Sequence, residues 1–280
     1  MTTQHSESIS PTAYATGHFW YRHGLSHQAL LTPDSERLGR RFQLLIRAVR
    51  GLSGFSIDTM MLARHRGIDA VLMQAIDEGR VRQVIEIAAG LSARGWRMKQ
   101  RYGDRITYIE TDLPAMADTK RRLLQGANLL PKGHRVLELN ALADEGPTSM
   151  KAIAATLDPK LGTAIITEGL MSYLDPETAE SVWRRIAGAL KPFAHGLYLA
   201  DIYMKREHRS VGVLLFGLVL SAFVRGRMHV HFDTPAEAIA TMQHSGFKTA
   251  VVHEPASLPQ LKDLAGQRGT ERVRILEARC

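Results

Sequence analysis

VIEIAAGLSARGW, residues 84–96, decides how this chain is read. A β-branched apolar run gives way to two alanines, a glycine and a polar turn. Valine and isoleucine ending in a glycine turn mark a buried strand handing over to a helix. Gly90 at that junction permits a tight turn and a close approach of bare backbone to a ligand. Further on, in YIETDLP, stand Glu110 and Asp112, 20 and 22 residues beyond the glycine. A carboxylate at the end of the second strand of such a unit can accept both hydroxyls of an adenosine ribose. The layout serves a dinucleotide and a methyl donor equally, and an ordinary strand–turn–helix without any ligand has the same spacing.

Outward from this stretch the pattern repeats. Strand-like segments fall at 81–88, 105–111, 134–140, 162–168, 196–202, 248–254 and 272–279. Helical periodicity falls between them at 112–127, 175–190 and 234–246, with Asp175 and Thr234 as N-caps and a proline after each. Strands alternating with helices predict an α/β fold, a doubly wound and mostly parallel seven-stranded sheet of Rossmann-like type. The last two strands lack a good crossover helix between them and are expected to be antiparallel. Residues 1–80 are helical in period, at 37–49 and 57–79, with no strand. They are expected to form a cap on a core spanning 81–280, with a helical insertion or lid over 203–232.

Composition narrows the function classes. Among 280 residues 45% are hydrophobic and 23% charged, ordinary for a chain with a full core. The one cysteine, Cys280, allows no intrachain disulfide, which fits a cytoplasmic protein, and no Cys/His spacing suits zinc. The N-terminus lacks a basic start followed by an apolar stretch. The apolar run 211–224 is shorter than the roughly 20 residues that span a bilayer, so a buried helix or pocket wall is expected there. The formal charge is +8, but the basic residues are scattered or paired beside acids, which reads as a solvated surface and not as a nucleic-acid interface.

Two observations argue against a nicotinamide cofactor. A pyrophosphate calls for G-x-G-x-x-G, and residues 88–93 read A-x-G-x-x-A. None of the seven tyrosines has a lysine four residues on, a common pairing for hydride transfer. S-adenosylmethionine carries no phosphate and needs fewer glycines, but its amino-acid carboxylate calls for an arginine.

Five segments, in order, then carry a family resemblance: ISPTAYATGHFWYRHGLSH (9–27), LARHRGID (62–69), EIAAGLSARGW (86–96), YIETDLPAMADTKRRLL (108–124) and IITEGLMSYL (165–174). Together they resemble the leucine carboxyl methyltransferase family, in the bacterial branch similar to tetracenomycin polyketide O-methyltransferases. The resemblance implies a class I methyltransferase fold with S-adenosylmethionine as cofactor and a small-molecule methyl acceptor. By the same resemblance, Arg64 would pair with the methionyl carboxylate, Gly90 with Ala88 would line the approach, and Glu110 and Asp112 would hold the ribose. Asn140 and Ala141 would sit near the adenine, and Glu168 near the methionyl or sulfonium part. Ala88 stands where the family often has glycine, and Asn140 where it often has an acid. These departures keep open a non-catalytic protein that binds S-adenosylmethionine; an NAD-dependent oxidoreductase is the remoter alternative. On the acceptor side the candidates are Tyr21 and His23 in HFWYRH (18–23) and His229 in HVHF (229–232).

Overall fold

The computed structural model describes residues 10–205 and 228–280. Most of the expected insertion, including the apolar run 211–224, lies outside the described residues. Three helices come first: α1 (Ser10–Arg22), α2 (Pro33–Ser53) and α3 (Ile57–Asp77). Then follow β1 (Gln83–Ile87), α4 (Arg94–Tyr102), β2 (Thr107–Asp112), α5 (Pro114–Gly126), β3 (His134–Glu138), α6 (Met150–Ala154) and β4 (Thr163–Thr167). The chain closes with α7 (Pro176–Leu190), β5 (Gly196–Ile202), α8 (Pro235–His244), β6 (Thr249–His253) and β7 (Arg274–Arg279). Every strand stands within two residues of its sequence expectation.

Local chemistry explains the helix ends. Thr32 and Ser35 cap α2 reciprocally, Pro33 opens it, and Gly54 in the left-handed region (φ 67) closes it. Asp175 and Thr234 accept from backbone N–H groups three residues on, as N-caps of α7 and α8.

The seven strands form one sheet in the order β3-β2-β1-β4-β5-β7-β6. β1 to β5 pair in parallel, and β7 runs antiparallel to both β5 and β6. The last two strands are therefore antiparallel, and β7 inserts between β5 and β6. One face carries Val84, Tyr108, Ile166 and Ile275 under α1, α3 and α4, with Phe19, Ile57 and Met98 in the same buried cluster. The helical first quarter thus shares its core with the sheet. Gly67 lets α3 lie close on β7, since a Cβ there would stand 2.7 Å from Ile275 Cγ1. The other face packs Ile85, Ile165, Tyr198 and Leu276 against Trp183 of α7 and Met242 of α8. Among the described residues no helix is long and apolar enough to cross a membrane.

The order reverses at β1, so the chain leaves the paired ends of β1 and β4 toward opposite faces of the sheet and opens a crevice for ligand. The register of β1 against β4 begins at Gly162, whose carbonyl accepts from Arg82 and Gln83 N–H at 2.8 and 3.1 Å. A Cβ on Gly162 would lie 1.7 Å from the Arg80 carbonyl oxygen. Backbone on both sides leaves nothing to yield, so Gly162→Ala is expected to destabilise the chain by about 1–3 kcal/mol, read as a lower midpoint in urea unfolding.

Candidate cofactor site

The turn after β1 is held by an acid. Gly90 has φ 48, and its N–H donates to Asp112 Oδ2 at 2.7 Å; Leu113 N–H donates to Oδ1 at 2.8 Å. Burial raises the Asp112 pKa, against the pull of these two N–H groups. Ala88 at the end of β1 also lies in the left-handed region, with φ 54. That conformation crowds a Cβ against the following carbonyl at about 1–2 kcal/mol. The alanine is therefore strained where a glycine would not be. Ala88→Gly is expected to raise stability by about 1 kcal/mol, measured as a higher melting temperature.

A cavity of about 110 Å³ opens above this turn. Its floor is Ala88, Gly90 and Glu168 at the ends of β1 and β4, and its walls include Arg64 of α3 with Asp201 and Tyr203 from β5 onward. Helix α1 contributes Thr12, Ala13, Thr16 and Trp20. The approach of α1 is tight: a Cβ on Gly90 would meet Ala13 Cβ at 3.1 Å. Arg64 Nε donates to Glu168 Oε1 at 3.0 Å, and its Nη1 lies 3.4 Å from the Tyr203 hydroxyl and 3.7 Å from Asp201 Oδ2. Gly169, with φ 66, makes room for that guanidinium and donates its N–H to Asp201 Oδ1 at 2.7 Å.

Beneath the floor lies a buried ionic network centred on Arg94, which is fully enclosed. Its Nε donates to Asp69 Oδ1 at 2.6 Å, its Nη1 to Glu86 and its Nη2 to Glu168. Tyr108 donates to the second Glu86 oxygen at 2.7 Å. Arg97 donates to Asp69 Oδ2 at 2.7 Å. His65 stacks on Trp20 with ring centroids 4.2 Å apart. Burial and then Arg94 lower the His65 pKa, keeping the ring neutral. Arg97 Nη2 donates to its Nε2 at 2.6 Å, and its Nδ1 lies 2.8 Å from Glu168 Oε2 and 2.9 Å from Arg94 Nη2. Burial would raise the Glu168 pKa, but His65, Arg94 and Arg64 hold it well below the usual carboxylate range. Burial, with the neighbouring Glu168 charge, raises the Asp201 pKa against the pull of Arg64 and the Gly169 N–H. Its Oδ2 is buried without a hydrogen bond.

Removing Arg94 would leave Asp69, Glu86 and Glu168 facing one another without the cation between them. Arg94→Met is expected to cost about 3–5 kcal/mol, seen as a large drop in thermal midpoint.

The structure brings Arg64, Ala88, Gly90 and Glu168 together at the cavity, and Asp112 directly beneath it. Glu110 stands apart. It is buried under α4, bonded to Lys120 at 2.9 Å and His134 at 3.0 Å. Burial opposes ionisation there, yet these two partners bring its pKa down to about 2. Asn140 is exposed past the end of β3, where its Oδ1 accepts from Leu142 N–H at 3.0 Å, and Ala141 packs on the second core. Tyr21 is exposed on α1, and His23 lines a different cleft, so neither reaches this cavity. The His229 N–H donates to the Ser172 carbonyl, beside the wall residue Met228. Sequence reasoning passed over Arg94, His65, Trp20 and Asp201. The signal for Arg94 was Glu86, a carboxylate inside an otherwise apolar strand, which requires a buried cation.

The donor set fits S-adenosylmethionine. Its amino-acid end needs a cation for the carboxylate and anions for the ammonium, with a sulfonium adding further positive charge. Arg64 supplies the first, and Glu168 with the unsatisfied Asp201 Oδ2 supplies the second. Strand order, reversed β7 and flanking helices define a class I methyltransferase fold. The profile of the leucine carboxyl methyltransferase family matches residues 44–187, just over half the chain, and the protein belongs to that family, whose cofactor is S-adenosylmethionine. Among its relatives is a Mycolicibacterium gilvum protein assigned as an S-adenosyl-L-methionine-dependent methyltransferase, 36% identical over 120 residues, covering 43% of this chain and 38% of the relative. A Mycobacterium bovis protein with the same assignment is 30% identical over 178 residues, covering 64% and 51%. The chain thus spans between 38% and 51% of the length of these relatives. Solved structures share the fold: a DUF574 family protein from Streptomyces avermitilis superposes with TM-score 0.62 at 16% identity, covering 91% of this chain and 98% of that one. PigF with SAH superposes with TM-score 0.54 at 12% identity, covering 100% and 71%.

Proposed function

We propose that this chain binds S-adenosylmethionine in the Arg64–Gly90–Glu168 cavity and directs its methyl group to an oxygen of a small molecule, a carboxylate or a hydroxyl, polyketide-like in class. The observation that carries the reading is the meeting of Arg64 and Glu168, 3.0 Å apart across the cavity over the Gly90 turn, in a chain of this family. Arg64 holds the methionyl carboxylate and Glu168 its ammonium. Asp112, anchoring the turn, stands on the ribose side, and Asn140 with Ala141, past the end of β3, on the adenine side. Glu110 acts on this site through Lys120, whose Nζ donates to the Ala89 carbonyl at 3.4 Å, and not by contact. When bound, the cofactor supplies an electrophilic methyl group on a sulfonium.

The remaining work belongs to the chain. Trp20, Phe42, Met61, Leu170 and Met228 give the cavity an apolar wall that excludes water. A carboxylate acceptor is ionised at neutral pH and needs no base, so holding the two reactants in line is the main contribution. A hydroxyl acceptor needs a base. His229, beside Met228 in the cavity wall, is the group that would take its proton.

Calorimetric titration tests the reading. S-adenosylmethionine is expected to bind and NAD not. Loss of a charge-assisted hydrogen bond in Arg64→Ala is expected to weaken binding at least about tenfold, with the far-ultraviolet spectrum unchanged. A folded chain that takes up no S-adenosylmethionine would defeat the proposal. Binding without methyl transfer to any organic acid or phenol would leave a non-catalytic binding protein.

A further inference from the structure

A second cleft lies apart from the cofactor cavity and shares no residue with its lining. It has a volume of about 620 Å³, between α1, α2, the start of α3 and the loop at 267–268. Four arginines reach it: Arg22 from the end of α1, Arg47 and Arg50 one turn apart on α2, and Arg268 from the loop. Arg268 is laid across the end of α2, where a Cβ on Gly54 would come within 2.5 Å of its Nη1. The one lining carboxylate is Asp58, 3.9 Å from His23.

None of these four arginines has an ion-pair partner among the described residues. Some surface arginines elsewhere on the chain do find one: Arg37 pairs with Asp34, Arg66 with Asp263, Arg80 with Glu78 and Arg185 with Asp144. Four guanidinium groups left open around one concavity repel each other, a cost that an anion would remove. Guanidinium forks match phosphate oxygens two at a time. Four arginines against one carboxylate suit two adjacent phosphates better than one.

We infer that this cleft is a second ligand site, for a diphosphate-bearing molecule, either a free metabolite or the headgroup of a lipid. The site stands on the arginines alone and does not rest on the methyl-transfer reading.

The probe is inorganic pyrophosphate, titrated calorimetrically into the full chain at about 150 mM salt, where exposed charges are largely screened. The expected result is saturable binding that weakens at least tenfold in an Arg50→Gln/Arg268→Gln double variant. Both side chains are exposed, so the variant keeps its fold, checked by an unchanged melting temperature. An Arg37→Gln/Arg185→Gln control is expected to bind as the parent does. Absence of pyrophosphate binding, or equal affinity in the double variant, overturns the proposal. Co-sedimentation with vesicles carrying diacylglycerol diphosphate separates the sources. Sedimentation that pyrophosphate reverses and the double variant lacks assigns the ligand to a lipid headgroup. Binding of pyrophosphate without sedimentation assigns it to a free molecule. Sedimentation that the double variant retains places the lipid contact elsewhere and overturns the lipid source.

Discussion

The guanidinium of Arg94 is the point on which the structure depends. It is fully enclosed, and its three nitrogens meet carboxylates from three elements: Asp69 on α3, Glu86 inside β1 and Glu168 just past β4. None of these acids could remain ionised in an apolar interior alone, and Arg94 could not be buried without them. The network therefore locks helix, sheet and turn into one geometry. Its upper edge, Glu168, is also part of the cavity floor. The same acid that neutralises the interior faces the cofactor site, so the charge of the site is set from below.

Directly above, the backbone does what side chains cannot. Asp112 gathers the N–H groups of Gly90 and Leu113 and so ties the end of β2 to the turn after β1. The turn is held open from beneath while α1 closes on it from above, with Ala13 against Gly90 and Trp20 stacked on His65. Helix α1 belongs to the helical first quarter of the chain, yet it supplies one wall of the cavity at the sheet ends. The site is composite, built from both parts.

Two regions of the surface divide the arginines into different tasks. Some find carboxylates close in sequence or across a helix–loop contact, and such exposed pairs stabilise little. Those around the second cleft find none, and four of them line that one concavity beside a single carboxylate.

Much of the fold was legible in the residues because its determinants are local. Runs such as VIEI and TAIIT, and prolines after capping Asp175 and Thr234, act over a few neighbours and specify strands and helix starts. Gly90, Arg64 and Glu168 were legible through the ordered motifs. What no local pattern could show is partnership. Glu110 and Asp112 lie on one strand with the same spacing rule, yet one is consumed by Lys120 and His134 while the other clamps the turn. Tyr21 and His23 sit one and three residues from Trp20, and helix phase sends only the tryptophan to the cavity. By itself the sequence determined the alternation of elements, the parallel sheet and the family. Only the tertiary structure decided which charges meet, because buried ion pairs such as Arg64–Glu168 are formed between residues 104 apart, by packing that periodicity does not encode.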